Sequence, residues 1–317
     1  MRIIHFIILL FSIVISVHAQ TSRLDSVQTI RDVAVVGVRP HYLTPSQTLA
    51  GTALQNLSTT SVADALKYFS GVQIKDYGGL GGLKTVNVRS LGSQHVGVYL
   101  DGIRITNAQN GQIDLGRYSL SNMESVALYN ANRNERLQSA SEYASAATVY
   151  LQTRRPDSTA LSVEYGTGSF GLQKLKAYLS FKNILFVDAE YQRTDGDYPF
   201  SFQSASEDTV GKRRNSDISF YRIEAAGFYK GFTAHAYYYS SERGLPGPVV
   251  RRLSDQWDST DRQWDRNFFV QSSYRHAWDR FSLKTNLKYA YDWLRYLQDP
   301  STNAATMYCD NHYRQQD

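Results

Sequence analysis

The sequence predicts a small α+β domain followed by antiparallel strands of a transmembrane β-barrel. Three observations carry that expectation. Residues 1–158 hold eleven of the 41 aromatic residues and no tryptophan, and ten glycines fall between Gly71 and Gly116. Residues 159–317 hold the other thirty aromatics, arranged in runs whose apolar side chains recur at every second position. The connections between those runs alternate between very short and long. The junction is "RRPDS", Arg154 to Ser158, a polar break with the only proline between Pro45 and Pro199.

The first nineteen residues stand apart. Met1-Arg2 is positive, Ile3 to Val17 is an apolar run too short to span a bilayer comfortably, and Val17-His18-Ala19 offers small residues where a signal peptidase reads. Residues 1–19 are expected to be a secretory signal. No later run is apolar enough for a transmembrane helix. The net charge of +5 is unclustered and does not argue for nucleic acid. One cysteine, Cys309, excludes an internal disulfide framework and a cysteine-based metal site. The seven histidines are scattered and no nucleophile–base pair stands out, so an enzyme is not expected.

In the first domain, residues 41–155, Ser61 is placed to cap a short helix whose Val62, Ala65, Leu66 and Phe69 share one face, with Gly71 stopping it. Strands are expected at Val72–Ile74, in "KTVNVRS" (84–90), in "VGVYL" and "IRI" joined by the Asp101-Gly102 turn, in "MESVALYN" (123–130), and at the end of "SEYASAATVYLQT" (141–153). The glycines of "DYGGLGGLK" are not a phosphate loop: Leu83, not glycine, precedes Lys84-Thr85, and a strand rather than a helix follows. They suit tight turns at the tip of the domain. "TNAQNGQ" (106–112) is a loop with no large apolar side chain.

In residues 159–317, Leu161, Val163 and Tyr165 share one strand face. Leu175, Ala177, Leu179 and Phe181 oppose Lys174, Lys176 and Lys182. Leu185, Val187, Ala189 and Tyr191 oppose Asp188 and Glu190, and Tyr221, Ile223 and Ala225 oppose Arg222 and Glu224. Phe232–Tyr238, Phe268–Tyr274 and Phe281–Tyr289 complete seven strands of period two. Aromatic ends suit a membrane interface, and the charged faces, including Lys176 and Glu190, suit a wet lumen. A soluble sandwich also alternates, which keeps a secreted adhesin or hydrolase as a rival.

The segments "VADALKYFSGVQI", "VNVRSLGSQHVGVYLDGIRI" and "DLGRYSLSNMESVALYN" together resemble, in order, the plug domain of TonB-dependent outer-membrane receptors. The departures are Arg89-Ser90 where the family usually has Arg-Gly, and Met123-Glu124 where it usually has Ile-Glu. "NAQNGQIDLGR" is similar to the cobalamin- and siderophore-receptor subgroup. The resemblance implies a plug domain over 41–155, an incomplete 22-strand type of barrel over 159–317, and a periplasmic tail over 20–40. In that tail Asp32, Val33, Ala34, Val35 and Val36 resemble the TonB box, a segment that adds as a strand to the energising protein TonB. It further implies a ligand site at the plug apex, with Gln94, His95, Asn107, Gln109, Asn110 and Gln112 as candidates, and no required cofactor. Calcium in the outer loops is a further expectation, at Asp195, Asp197, Asp255 and Asp258, with Asp261 and Asp265 nearby.

The implied function is energy-dependent uptake of a scarce ligand (cobalamin, a siderophore or another metal chelate) across the outer membrane of a Gram-negative bacterium. The alternative within the same build is a TonB-linked sensing receptor without import. Seven strands fill 159–293, and a barrel of 22 strands would need about 420 residues at that rate. The chain is therefore expected to be an N-terminal portion.

Overall fold

The computed structural model describes residues 46–57, 59–107, 111–130, 137–204, 207–246, 260–298 and 308–317, all within one unit, Tyr42–Asp317. The expected signal and the TonB-box-like segment lie outside them.

The first domain holds β1 (Ser46–Ala50), α1 (Gly51–Gln55), α2 (Val62–Leu66), β2 (Val72–Asp76), β3 (Lys84–Val88), β4 (Val96–Leu100), β5 (Ile103–Ile105), β6 (Met123–Tyr129), α3 (Ala140–Tyr143) and β7 (Ala147–Thr153). A mixed sheet runs β1-β6-β7-β4-β5, with β4 and β7 parallel, and β2 pairs separately with β3. Ser61 caps α2 as expected: its Oγ accepts from the Asp64 backbone N–H at 3.3 Å. Val62, Ala63, Ala65 and Leu66 are fully buried in the core with Leu115, Leu128, Val149 and Leu151. Gly71 takes the left-handed conformation (φ 75°) just beyond the helical segment. The Asp101-Gly102 turn has φ of 52° and 81° and sets Leu100 against Ile103, the two-residue hairpin read from the sequence. Arg89 and Ser90 are both left-handed, at φ 48° and 60°, so Ser90 holds a conformation that favours glycine.

The second part is one antiparallel sheet, or wall, in the order β17-β16-β15-β14-β13-β10-β9-β8. Its strands are β8 (Ala160–Gly168), β9 (Leu172–Phe181), β10 (Leu185–Thr194), β13 (Ile218–Tyr229), β14 (Phe232–Gly244), β15 (Arg262–Ala277), β16 (Ser282–Gln298) and β17 (Cys309–Gln316). A small hairpin, β11 (Pro199–Ser204) with β12 (Glu207–Lys212), stands in the β10–β13 connection. Among the described residues the sheet does not close on itself; β8 and β17 are its edges. Three connections at one end are short (182–184, 230–231 and 278–281), and three at the other are long (195–217, 245–261 and 299–308). The β8–β9 turn at 169–171 is the short exception at the long-loop end.

The wall is inside-out. Leu161 is 73% and Leu287 69% exposed on its outer face, while Asp188, Glu224 and His235 are each 1% exposed on its inner face. A soluble sandwich would gain about 1.5–3 kcal/mol by burying each such leucine, and would not bury the charges instead. The expectation that the inner face is wet is narrowed here. Lys176 and Glu190 are buried, at 7% and 8% exposure: Lys176 donates to Ser121 of the first domain, Glu190 pairs with Lys174 and Arg222 of the wall, and both line a cavity of about 360 Å³ between the first domain and the wall.

Candidate functional site

The chemistry of this chain is concentrated where the first domain meets the wall. At the long-loop end the glycine-rich tip makes contact. Asp76 Oδ1 accepts from the backbone N–H of Gly78 (3.2 Å) and Gly79 (2.8 Å), and Tyr77 N–H donates to the Leu83 carbonyl at 3.0 Å, which closes the loop. Gly81 presses on the start of β13: a Cβ there would lie 1.7 Å from Ile218 Cδ1. Arg243, near the end of β14, donates from Nη1 to the Gly81 carbonyl at 2.8 Å. The glycines thus serve a tip held to the wall, and β3 follows them.

Arg117 is the hub below the tip. Asp114 caps its turn, its Oδ1 accepting from the N–H groups of Gly116 and Lys84, each at 3.0 Å. The Arg117 guanidinium meets Asp114 at 2.9 Å and Asp265 of β15 at 3.3 Å, donates to the Asn267 amide oxygen, and lies 4.9 Å from the centre of the Tyr239 ring. Its carbonyl accepts from Arg222 Nη1 (3.2 Å) and the Tyr237 hydroxyl (3.0 Å). Burial alone would favour the neutral form, but the charges of Asp265 and Asp114 outweigh it and push the guanidinium pKa well above its ordinary value.

Nearer the short-turn end, Asn122 Nδ2 donates to Asp188 Oδ2 at 2.6 Å and to Glu224 Oε2 at 2.7 Å. Lys176 pairs with Asp188 at 3.4 Å and donates to Ser121 Oγ at 2.5 Å. His235 lies between two carboxylates. Its Nε2 is 3.0 Å from Glu224 Oε1, in an ion-pair contact not aligned as a hydrogen bond, and its Nδ1 is 3.5 Å from Asp101 Oδ2. Asp101 also accepts from the Thr153 N–H and hydroxyl at 2.9 and 2.7 Å. It is therefore more than the turn residue read from the sequence, because it joins the turn to the wall.

Of the candidate ligand residues, Gln94, His95 and Asn107 lie at one end of the β4–β5 hairpin. The turn Ser93–His95, which carries exposed Gln94 and His95, leads into β4, and the segment after β5 leaves the same end of that hairpin, away from Asp101-Gly102. Asn107 and Gln112 are half-buried on either side of residues 108–110. Asn107 also borders a cleft of about 50 Å³ with Arg117, Asn267 and Asp292. Gln109 and Asn110 lie outside the described residues, as do Asp255 and Asp258. Asp195 pairs with Arg193 at 3.3 Å and Asp197 with Lys212 at 3.0 Å. Asp265 is no loop carboxylate; it is buried in β15 against Arg117. No group of three or more potential metal ligands occurs among the described residues.

Sequence reasoning did not find Arg117, Asn122 or the pairing of His235. The available signal was the charge on alternate positions of the wall strands, which names the inner face but not what it meets.

A mixed-sheet domain seated by polar and aromatic contacts on the inner face of an inside-out antiparallel wall is the architecture of a plugged outer-membrane barrel. Residues 42–139 match the family model described as the TonB-dependent receptor plug domain. Solved structures share the fold. The FrpB iron transporter from Neisseria meningitidis (F3-3 variant) has a TM-score of 0.58 at 13% identity, over 86% of this chain and 44% of its own. The ferric yersiniabactin uptake receptor FyuA from Yersinia pestis has 0.51 at 17%, over 80% and 41%. The siderophore receptor PirA from Acinetobacter baumannii has 0.50 at 16%, over 86% and 43%. The chain spans less than half the length of these structures. Its first domain is a TonB-dependent receptor plug, and the strands that follow have the fold of that family's barrel.

Proposed function

We propose that this protein is an outer-membrane receptor that imports a metal chelate, a siderophore complex before cobalamin, with energy delivered through TonB. The carrying observation is the character of the plug–wall contact. Arg117, Asn122, Asp101 and His235 hold the plug by hydrogen bonds and ion pairs, which water can replace as the plug shifts. Beside them, Ile218, Phe220, Tyr237, Tyr239, Phe269 and Ala290 of the wall join the plug's apolar cluster, with the Tyr118 and Tyr237 rings stacked 5.3 Å apart. The similar structures bearing the names iron transporter and siderophore receptor support a metal chelate as the cargo. Gln94, Asn107 and Gln112, with Gln109 and Asn110 between the last two in sequence, supply neutral donors and acceptors suited to a large polar ligand, and His95 stands next to Gln94. The signal at 1–19 would deliver the chain across the inner membrane, and Asp32–Val36 would add as a strand to TonB. Calcium at Asp195 and Asp197 with Asp255 and Asp258 would have to displace Arg193 and Lys212 from the first two.

The test is uptake of a radio-iron siderophore and of labelled cobalamin by Gram-negative cells lacking their own receptors and expressing this protein. Uptake of the iron chelate should stop when the proton gradient is collapsed. It should also stop in Val35→Pro, which removes a backbone donor from the added strand while leaving surface binding intact. Iron uptake indifferent to both treatments would overturn the TonB assignment, and uptake of cobalamin alone would overturn the cargo.

A further inference from the structure

The outer face of β15, β16 and β17 changes character along its length. Leu283, Leu287 and Tyr289 lie outward toward the short-turn end, then Tyr291 and Trp293, then Arg295. From Leu283 to Trp293 is ten residues; at about 3.3 Å each on a strand tilted by about 40°, this gives a height of about 25 Å, the thickness of a barrel's apolar band. Trp293 therefore stands at the upper edge of that band, on the long-loop side.

Register places Arg266 directly beside Trp293 on one flank and Arg314 on the other. Both arginines are exposed, and neither has a carboxylate partner among the described residues. The Arg266 guanidinium sits 4.8 Å from the centre of the Trp293 ring, which holds it against the aromatic plane. Two strand spacings, about 10 Å, separate the arginines across the tryptophan, a gap that two long side chains can close on one anion. The next two rows toward the loops are different: Arg295 is spent on Asp310, at 3.0 and 2.9 Å, and Arg262, one row further, on Asp217 and Glu242, at 2.9 and 2.7 Å. Charge left unneutralised is thus confined to the row at the edge of the apolar band.

We propose that Arg266, Trp293 and Arg314 form a binding site for the phosphate of an anionic lipid headgroup in the leaflet at the long-loop end. The inference rests on the outer face of the wall meeting a membrane. Guanidinium groups match phosphate oxygens in paired geometry, the tryptophan belongs at the interface, and the site is continuous with the lipid-facing apolar band below it.

The test reconstitutes the protein into phosphatidylcholine nanodiscs containing a trace of bis-phosphorylated lipid A or its phosphate-free form, and counts retained lipid by native mass spectrometry. The wild type should retain the phosphorylated lipid selectively, less so as salt is raised. R266Q/R314Q should lose about thirtyfold in affinity, and R266K/R314K should keep most of it, with assembly of each variant checked by heat-modifiable gel mobility. Equal retention by R266Q/R314Q, indifference to the lipid's phosphates, or displacement by millimolar inorganic phosphate would each overturn the proposal. Failure of the wild type to enter the nanodisc would remove the membrane reading with it; entry without selective retention would remove this site alone.

Discussion

Glu224 and His235 face each other at 3.0 Å from neighbouring wall strands, and each side chain is 1% exposed. The pair belongs to the wall, yet it reaches the plug on both sides, through Asn122 on Glu224 and Asp101 on His235. Removing one member of such a set leaves the other charge buried without its partner. Glu224→Leu is expected to weaken plug seating by about 3–5 kcal/mol, and Glu224→Gln by less, because the amide still accepts from Asn122. Urea titration of the detergent-folded protein, read as protease cleavage within residues 42–153, measures it. Equal plug protection in Glu224→Leu and wild type would show the contact to be idle.

The lipid face can be checked three residues away from the plug face. Arginine at Leu179 or Val187 should block assembly, at about 2–4 kcal/mol near the midplane. Single cysteines at 179 and 187, with Cys309→Ser, should react with a lipid-soluble reagent and not with a water-soluble one. Protection from both reagents would mean a protein core. Lys176→Glu should insert normally but set a second carboxylate against Asp188, now 3.4 Å from the lysine, so its plug should be cut faster by protease.

Gly81 carries two separable constraints, its φ of 69° and the Ile218 methyl in the way of a Cβ. Gly81→Ala should cost about 1–2 kcal/mol for the left-handed backbone, plus the displacement of Ile218. Ile218→Ala should recover the second part and not the first. A double-mutant cycle on melting temperature reads the coupling, and strict additivity would mean that the tip does not rest on β13.

Asp64 gives the plug a pH dependence of defined sign. Burial alone would raise its carboxyl pKa; hydrogen bonds from Lys67 and Ser61 and the charge of Lys84 outweigh burial and hold it below the ordinary value of 3.8. A depressed carboxylate contributes stability above its unfolded pKa and loses it as pH falls through the folded one. Asp64→Asn should therefore melt below wild type at neutral pH, and the gap should begin to shrink below about pH 4, closing as pH falls through the depressed folded value. A gap that stays constant with pH would assign the loss to the cap alone.

The seven wall strands were legible because lipid requires one apolar face, and that requirement writes a period of two into the sequence. β17 was missed for the complementary reason: its outward positions are Asp310, His312 and Arg314, so neither face is apolar and no alternation appears. α2 could be read from Ser61 and its apolar face, whereas β1 is five residues with one large apolar side chain, Leu49. The interior contacts were not legible. Asn122 and Glu224 are 102 residues apart, and alternation tells which way a side chain points without naming what it meets. The open lumen expected for Lys176 and Glu190 is, on the same point, a cavity of about 360 Å³ left between plug and wall.

The two sheets differ in how far the chain must travel to close them. Every neighbouring pair in the wall joins strands consecutive in sequence or separated only by the β11–β12 hairpin. The plug instead pairs Ser46 with Tyr129, and Val96 in parallel with Ala147. Loop closure is paid before distant pairing rewards it, so the wall's hairpins are the fast-forming parts and the plug's sheet the slow one. The plug also cannot complete its sheet until residue 153 has been made, when the first wall strand is only seven residues away. Folding of this chain is therefore a problem of order, in which a late-closing domain must reach its seat against a partner that forms early.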